Sequence, residues 1–149
     1  MTLQEQLIRA TGIAAEAHTG QFDKNGQPYL GHVVRVMSAG HTLKEKIAGV
    51  LHDVVEDSAW TFEALTNEGF SPEIVEAVKA LTHDESETYG EYLVRLAKNP
   101  LAVRVKLNDL TDNMDIRRLK ELDDKAVARI RRYLNAYKFL TESPTLQTE

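Results

Sequence analysis

Ionisable side chains directly follow an apolar segment near the middle of this chain. Residues 48–57 read AGVLHDVVED, so a stretch typical of a buried helix runs straight into His52 and Asp53. A carboxylate or an imidazole that is buried without a partner costs several kcal/mol. These two side chains therefore need a counter-charge, a hydrogen-bond network or a metal ion, which the fold must bring from other parts of the chain.

Helical periodicity dominates the rest of the sequence. Apolar residues recur three and four positions apart, and the longest alternating run, at residues 103–107, suits a buried helix equally well. The sequence therefore predicts an all-α fold. The predicted helices span residues 3–17, 28–39, 44–57, 61–64, 71–81, 88–98, 101–119 and 123–140, with Thr61 as an N-cap and with Val127, Ile130, Leu134 and Tyr137 as the inward stripe of the last helix.

Length and composition narrow the class of protein. A chain of 149 residues is most simply one domain, which we expect to span residues 1–140 and to end in a flexible polar tail at 141–149. The absence of cysteine excludes disulfides, thiolate metal sites and a cysteine nucleophile. The net charge of −5 disfavours nucleic-acid binding. Without a membrane-spanning run or a signal-peptide pattern, a cytoplasmic location is expected.

Four residues in three separate segments are suitable ligands for one metal ion. They are His32 on the second predicted helix, the pair His52 and Asp53, and Asp109 near the end of a later apolar segment. Two imidazoles and two carboxylates form a nitrogen and oxygen site suited to manganese, iron or zinc. Such an ion polarises a phosphate oxygen and lowers the pKa of a bound water, so that hydroxide can attack phosphorus.

Three more polar residues are expected beside this site. Glu56 and Asp57 follow the ligand pair by about one helical turn, where they can hold or deprotonate the water. Asn113 lies one turn after Asp109. Each of these residues taken alone is an ordinary surface or core residue, and the hypothesis depends on the whole set. The histidines His41 and His83, by contrast, are expected to be exposed.

Several arginines near the end of the chain have acidic residues as neighbours in the sequence. Arg117 and Arg118, together with the group Arg129, Arg131 and Arg132, lie close to acidic residues. We therefore expect them to form a helix surface that balances the neighbouring negative charges.

The order of these residues resembles that of the HD-domain metal phosphohydrolases. The most similar branch contains the ppGpp hydrolase domain of the bacterial stringent-response enzymes and their small single-domain relatives. The resemblance covers roughly residues 14–140. It depends on the segments HTGQ at 18–21, NGQPYLGH at 25–32, LHDVVED at 51–57 and VKLND at 105–109, followed by Asn113 and Met114.

This resemblance implies a single HD-domain helical bundle that binds one divalent cation, usually Mn²⁺. The implied ligands are His32, His52, Asp53 and Asp109. The implied catalytic pair, which orients or activates the attacking water, is Glu56 and Asp57. Lys24 and Asn113 are implied to line the nucleotide pocket. The implied reaction removes the 3′-pyrophosphate of ppGpp, giving GDP and pyrophosphate, with a small-molecule nucleotide as the substrate.

Departures from the family pattern concern the nucleotide pocket. Asp23 stands where the alarmone hydrolases typically have an arginine that packs on guanine. The segment from Asp109 to Asn113 reads DLTDN instead of the usual DRLHN, and Asp115-Ile116 replaces an arginine-threonine pair. Two alternatives therefore stay open: an HD phosphohydrolase for another nucleotide or a small phosphoester, and a non-catalytic helical binding or regulatory module that keeps a structural metal. The sequence does not predict the oligomeric state.

Overall fold

The structure is a computed structural model that describes residues 1–142. Nine α-helices and one short 3-10 helix form this part of the chain. No strand is found within these residues, only an isolated bridge between Phe22 and Pro28, so the all-α prediction is confirmed. The helices are α1 Leu3–Ala17, α2 Leu30–Ala39, α3 Leu43–Leu51, α4 Val54–Asp57, α5 Phe62–Glu68, α6 Pro72–Leu81, α7 Tyr89–Leu96, α8 Pro100–Asn113, the 3-10 helix Ile116–Arg118 and α9 Asp124–Thr141.

Side-chain caps explain where many of these helices begin. A threonine, asparagine or aspartate accepts a hydrogen bond from a backbone N–H of the first turn, which would otherwise lack a partner inside the helix. The predicted cap at Thr61 is among them, since its hydroxyl accepts from the N–H of Ala64. The other capping residues are Thr2, Thr42, Thr88, Asn99 and Asp123.

Helix α3 is the centre of the molecule, because it packs against α1, α2, α6 and α8. Its residues Ile47, Val50 and Leu51 are fully buried. Burying an aliphatic side chain of this size stabilises the fold by about 1.5–3 kcal/mol. The apolar face of α3 therefore fixes the position of the polar residues that follow it.

The predicted helix at 44–57 is wrong in one respect, since it is interrupted at His52 and Asp53. The backbone of Asp53 leaves the helical region, with φ −110° and ψ 2°, and α4 begins only at Val54. The ring of His52 donates from Nδ1 to the carbonyl oxygen of Gly49 at 2.6 Å. This side-chain bond at the end of α3 replaces part of the helical hydrogen bonding, and it turns the imidazole towards the neighbouring helices.

The predicted helix at 101–119 also ends early, at Asn113. Asp115 is extended, with φ −72° and ψ 96°, and its carboxylate accepts from the N–H of Arg117 to start the 3-10 helix. Aspartate competes for backbone donors in this way more often than it continues a helix. The helix predicted from Pro28 begins instead at Leu30, because Pro28 pairs with Phe22 in the preceding loop.

The inward stripe predicted for the last helix is partly wrong. Val127 and Leu134 are 38% and 42% exposed, whereas Ala126, Ala136 and Leu140 are buried. Ile130 and Tyr137 of the predicted stripe are half-buried, and Tyr137 packs against the core. Val127 and Leu134 lie outside the contact, and alanines allow α9 to approach α8 closely.

The tail predicted at 141–149 lies almost wholly outside the described residues, so the domain boundary at 140 stays a prediction. Within residues 1–142, no helix combines the length and the apolar character that crossing a membrane requires.

Candidate metal centre

The four predicted ligand residues meet at one place in the fold. His32 comes from α2, His52 and Asp53 come from the junction of α3 and α4, and Asp109 comes from α8. One nitrogen or oxygen atom of each side chain lies within 4.8 Å of the corresponding atoms of the other three. Residues 77 positions apart in the chain are therefore direct neighbours.

Short distances between nitrogen and carboxylate oxygen define the centre. The Nε2 atom of His32 lies 2.8 Å from Oδ1 of Asp109. The Nε2 atom of His52 lies 2.9 Å from Oδ2 of Asp53 and 3.3 Å from Oδ1 of Asp109. His32, His52 and Asp109 are buried, and Asp53 is half-buried. Both imidazoles therefore face both carboxylates in a space that bulk water barely reaches.

The donor atoms fit a divalent cation. Although Nε2 of His52 is buried and close to two carboxylates, it makes no hydrogen bond of acceptable geometry. Its Nδ1 atom donates to the Gly49 carbonyl, which directs the Nε2 lone pair of a neutral ring towards the centre. A hydrogen bond at the outer nitrogen fixes a metal-binding imidazole in the same way. The set of two nitrogen and two carboxylate ligands suits manganese, iron and zinc.

The electrostatics of these side chains favour positive charge at the centre. Burial alone would lower the pKa of His52, but the negative charges of Asp53 and Asp109 outweigh it and hold the pKa well above the usual value. The pKa of His32 is raised in the same way by Asp109 and Asp112. The pKa of Asp53 falls to about 2, since the charge of His52 outweighs burial. The centre thus attracts positive charge strongly.

Asp112, which the sequence did not predict as a site residue, holds the outer side of His32. Its Oδ2 atom accepts from Nδ1 of His32 at 2.6 Å. The same carboxylate accepts from Arg35 at 2.7 Å and from Arg118 at 2.8 Å. Arg118 also donates to Asp23 at 3.0 Å. Arg118 is therefore part of a partly buried network and not, as expected, only a helix surface residue.

Three further side chains hold the carboxylate ligands. The Nζ atom of Lys106 donates to Oδ2 of Asp109 at 2.8 Å. The amide of Asn113 donates to the other oxygen, Oδ1, at 3.2 Å, as its position one turn later had suggested. The hydroxyl of Tyr29 donates to Oδ2 of Asp53. Lys106 was detectable in the sequence as a lysine three residues before the predicted ligand, on the same helix face.

Glu56 and Asp57 lie on α4, next to the centre and outside the group of four, and both are exposed. The carboxylate of Glu56 accepts from the backbone N–H of His83 at 2.9 Å. Partial loss of hydration and the charges of Asp53 and Glu56 raise the pKa of Asp57 to about 6. A carboxyl group of this kind exchanges a proton near neutral pH.

The prediction that His83 is exposed is wrong, because this residue is half-buried. Its ring lies at an edge-on angle to Tyr92, with 5.1 Å between ring centroids. The sequence placed it in a loop, and the tertiary packing of that loop covers it. His41 is exposed, as predicted.

A cavity of about 290 Å³ opens beside the centre. Tyr29 and Asn113 line it, and both touch ligand carboxylates. The predicted pocket residue Lys24 lines it as well, with Arg129. Partial loss of hydration and the nearby positive charges of Arg129 and Arg132 lower the pKa of Lys24. The cavity therefore joins the carboxylate side of the centre to Lys24 and Arg129, whose positive charges suit an anionic ligand, and the carboxylates of Asp23 and Asp115 lie on its wall as well.

The fold and the centre define an all-α protein with a buried site of two histidines and two aspartates contributed by three separate regions. The chain belongs to the HD-domain family, whose profile matches residues 10–137. The prediction of an HD-domain helical bundle is confirmed.

Curated relatives carry names from ppGpp metabolism. A Haemophilus influenzae protein named guanosine-3′,5′-bis(diphosphate) 3′-pyrophosphohydrolase is 37% identical over 116 residues, which cover 68% of this chain and 17% of the relative. A Myxococcus xanthus protein named GTP pyrophosphokinase is 31% identical over 140 residues, covering 82% of this chain and 18% of the relative. This chain thus spans less than a fifth of the length of these relatives.

A solved structure has the same fold over nearly the whole chain. It is a metazoan orthologue of SpoT that is described as hydrolysing ppGpp and as playing a role in starvation responses. The TM-score is 0.74, with 22% identity, and the match covers 96% of this chain and 92% of the other. The predicted resemblance to the HD domains of ppGpp hydrolases is confirmed by these relatives.

Proposed function

We propose that this protein is a divalent-cation-dependent phosphohydrolase that removes the 3′-pyrophosphate of ppGpp. The observation that carries the proposal is the convergence of four nitrogen and oxygen donor atoms within 4.8 Å of one another. The name of the Haemophilus influenzae relative and the description of the metazoan structure support ppGpp as the substrate.

The proposed ligands are His32, His52, Asp53 and Asp109, and the proposed ion is Mn²⁺. A divalent cation bound here supplies Lewis-acid activation of a phosphate oxygen and acidification of a water molecule. The protein contributes the orientation of the donors, since Asp112 and the Gly49 carbonyl fix the two imidazoles from outside. Lys106 and Tyr29 restrain the two carboxylates.

Glu56 and Asp57 are the proposed proton acceptors for the attacking water. They belong to the short helix α4 directly after the ligand pair, and the pKa of Asp57 is raised to about 6 by partial loss of hydration and by neighbouring carboxylates. A group with such a pKa can take a proton from water and release it again near neutral pH. The contact between Glu56 and the N–H of His83 orients the second carboxylate of the pair.

Lys24 and Asn113 are the proposed substrate-binding residues. They line the cavity of about 290 Å³ beside the centre, together with Arg129. Positive charges at this place suit a nucleotide that carries two diphosphate groups. An amide can donate to a substrate oxygen and accept from a hydroxyl. The cytoplasmic location expected from the sequence stays a prediction.

A second candidate is the same chemistry on another phosphorylated nucleotide. The observation that favours it is the ion pair between Asp23 and Arg118 at the wall of the cavity. An acidic residue stands here where the resembling hydrolases have an arginine, and Arg118 is already engaged by Asp23 and Asp112. The guanine-reading surface is therefore the part of the proposal that the sequence departures affect most.

A nucleotide assay on metal-stripped protein tests both candidates. The protein is reloaded with Mn²⁺ and incubated with ppGpp and with a panel of other phosphorylated nucleotides, and products are separated by anion-exchange chromatography. We expect GDP and pyrophosphate from ppGpp only when Mn²⁺ is present. Because one relative is named GTP pyrophosphokinase, a mixture of GTP and ATP is included, and no ppGpp should form from it.

Two variants serve as controls for this assay. His52→Ala removes a proposed ligand and should abolish metal binding and turnover together, whereas Glu56→Ala should bind Mn²⁺ normally and lose most of the turnover. Cleavage of another nucleotide in place of ppGpp would favour the second candidate. Metal binding without turnover of any substrate would contradict both candidates and support a non-catalytic module that keeps a structural metal.

A further inference from the structure

Lys106 is a largely enclosed lysine that none of the roles above requires for catalysis. Only 13% of its side chain is exposed, and its ammonium group lies 5.4 Å from the centroid of the Tyr92 ring. Its hydrogen-bond partner is Oδ2 of Asp109, at 2.8 Å. Removing a flexible, strongly hydrated ammonium group from water is costly, so the contact with Asp109 is the reason this side chain can stay there.

The two oxygens of Asp109 have different surroundings. Oδ1 faces the centre, since it lies 2.8 Å from Nε2 of His32 and 3.3 Å from Nε2 of His52. Oδ2 bonds to the ammonium of Lys106. Both carboxylate oxygens are potential metal ligands. The ammonium group of Lys106 engages Oδ2, whereas Oδ1 faces the cation site and accepts a longer bond of 3.2 Å from the neutral amide of Asn113.

We propose that Lys106 is a positioning residue that restricts Asp109 to one-oxygen coordination of the cation. The inference rests on the cation site proposed above. A carboxylate bound through both oxygens would fill an additional coordination position, and the substrate phosphate and the attacking water need open positions. Lys106 thus keeps the site open at the side of Asp109.

The positive charge of Lys106 also affects how tightly the centre binds a cation. The two aspartates give the donor set a charge of −2, and the ammonium group next to Asp109 offsets part of it. A positive charge beside a ligand repels the cation, an effect that low local polarity strengthens. Lys106 therefore lowers the affinity for the cation while it preserves the open position. Loss of Lys106 should consequently tighten metal binding and impair turnover.

The test compares wild-type protein with Lys106→Met, which keeps the length of the side chain and removes the donor and the charge. Lys138→Met, at an exposed position on α9, is the matched control. Metal-stripped proteins are titrated with Mn²⁺, and water-proton relaxation counts the exchangeable waters on the bound ion. We expect Lys106→Met to bind Mn²⁺ more tightly, to lose one exchangeable water, and to hydrolyse substrate on the order of 100-fold more slowly. Lys138→Met should match wild type.

The sign of the change in metal affinity separates this role from a merely structural one. Loss of a side chain that only holds a metal ligand in place weakens metal binding by about 10–100-fold. If Lys106→Met binds Mn²⁺ more weakly by this amount and the number of exchangeable waters is unchanged, the inference is overturned. A rise in KM with unchanged affinity and water count would show that Lys106 binds substrate instead. Lys106→Arg keeps the donor and the charge, and it should restore the wild-type water count.

A measurement on the wild-type protein covers the case in which Lys106→Met fails to fold. Infrared difference spectra between metal-loaded and metal-free protein separate carboxylates bound through one oxygen from those bound through two. We expect one-oxygen carboxylate bands in the wild type, and a two-oxygen band that disappears in Asp109→Asn would refute the inference. Failure of the wild type to bind any divalent cation would instead refute the proposed function, and this inference with it.

Discussion

Asp112 connects the candidate metal centre to the wall of the adjacent cavity through Arg118. It accepts from the outer nitrogen of His32 and from the guanidinium groups of Arg35 and Arg118. These partners hold the pKa of Asp112 below its usual value against the effect of burial. The carboxylate therefore stays ionised, and it fixes the tautomer and the angle of the His32 ring.

Asp112→Asn should weaken Mn²⁺ binding by about 10–100-fold, because the amide is a poorer acceptor for the His32 N–H and carries no charge. The measurement is a Mn²⁺ titration of metal-stripped protein. Asp115→Asn, in the same segment and in an ion pair with Arg117, is the control and should bind like wild type. Equal affinities in both variants would show that His32 is held without Asp112.

Metal uptake at neutral pH should release at least one proton from the protein. The pKa values of His32 and His52 are raised in the metal-free centre, that of His52 well above its usual value, and a metal binds only the neutral ring. Apparent affinity should therefore rise with pH. Calorimetric titration in buffers of different ionisation enthalpy measures the protons released, and a heat that is independent of buffer would contradict the prediction.

At the scale of elements, the break between α3 and α4 gives the centre its geometry. In a continuous helix, the side chains of His52 and Asp53 would point about 100° apart. The non-helical backbone of Asp53 instead lets His52 Nε2 and Asp53 Oδ2 lie 2.9 Å apart. Close packing of α2 on α3 at Gly49 then brings His32 to the same place.

Gly49→Ala should destabilise the fold by about 1–2 kcal/mol and weaken Mn²⁺ binding. A Cβ atom there would lie 3.3 Å from the carbonyl oxygen of Val36 and 3.4 Å from the backbone of Met37, so α2 must move away from α3. Overpacking costs about 1–3 kcal/mol, which exceeds the gain of up to about 1 kcal/mol in helix propensity. Urea unfolding and Mn²⁺ titration measure the two effects.

Gly12→Ala is the matched control for this prediction. Gly12 lies on α1 with no atom within 4 Å of the added Cβ, so only the gain in helix propensity remains, and the variant should be more stable than wild type. Similar stabilisation of Gly49→Ala would show that α2 and α3 are not closely fitted at that position.

At the scale of the whole molecule, the centre joins parts of the chain that are far apart in sequence. His32, His52 and Asp109 come from α2, the end of α3 and α8. Among the described residues, α2 and α3 contribute to both buried apolar clusters and α8 contributes to one of them. A cation bound there links the two clusters and stabilises only the folded protein.

Saturating Mn²⁺ should therefore raise the melting temperature. At a free concentration 100 times the dissociation constant, linkage stabilises the fold by about 2.7 kcal/mol, or roughly 5–10 °C for a domain of this size. Differential scanning calorimetry with Mn²⁺ and with EDTA measures the shift. His52→Ala should show no shift, and an equal shift in that variant would place the bound ion elsewhere.

The sequence by itself determined the all-α class, most of the helices and the identity of the four proposed ligands. Helical periodicity and capping residues are local signals, so they can be read along the chain. Histidines and aspartates beside apolar segments also stand out, because burying them without a partner is costly.

Only the tertiary structure decided the rest: the interruption at His52 and Asp53, the network from Asp112 through Arg118 to Asp23, and the contact of Lys106 with Asp109. These features depend on which helices become neighbours. In the sequence, Arg118 is indistinguishable from a surface arginine, and its partner Asp23 is 95 positions away. Helix packing selects such pairs from many local possibilities of similar energy, and no periodicity along the chain records that choice.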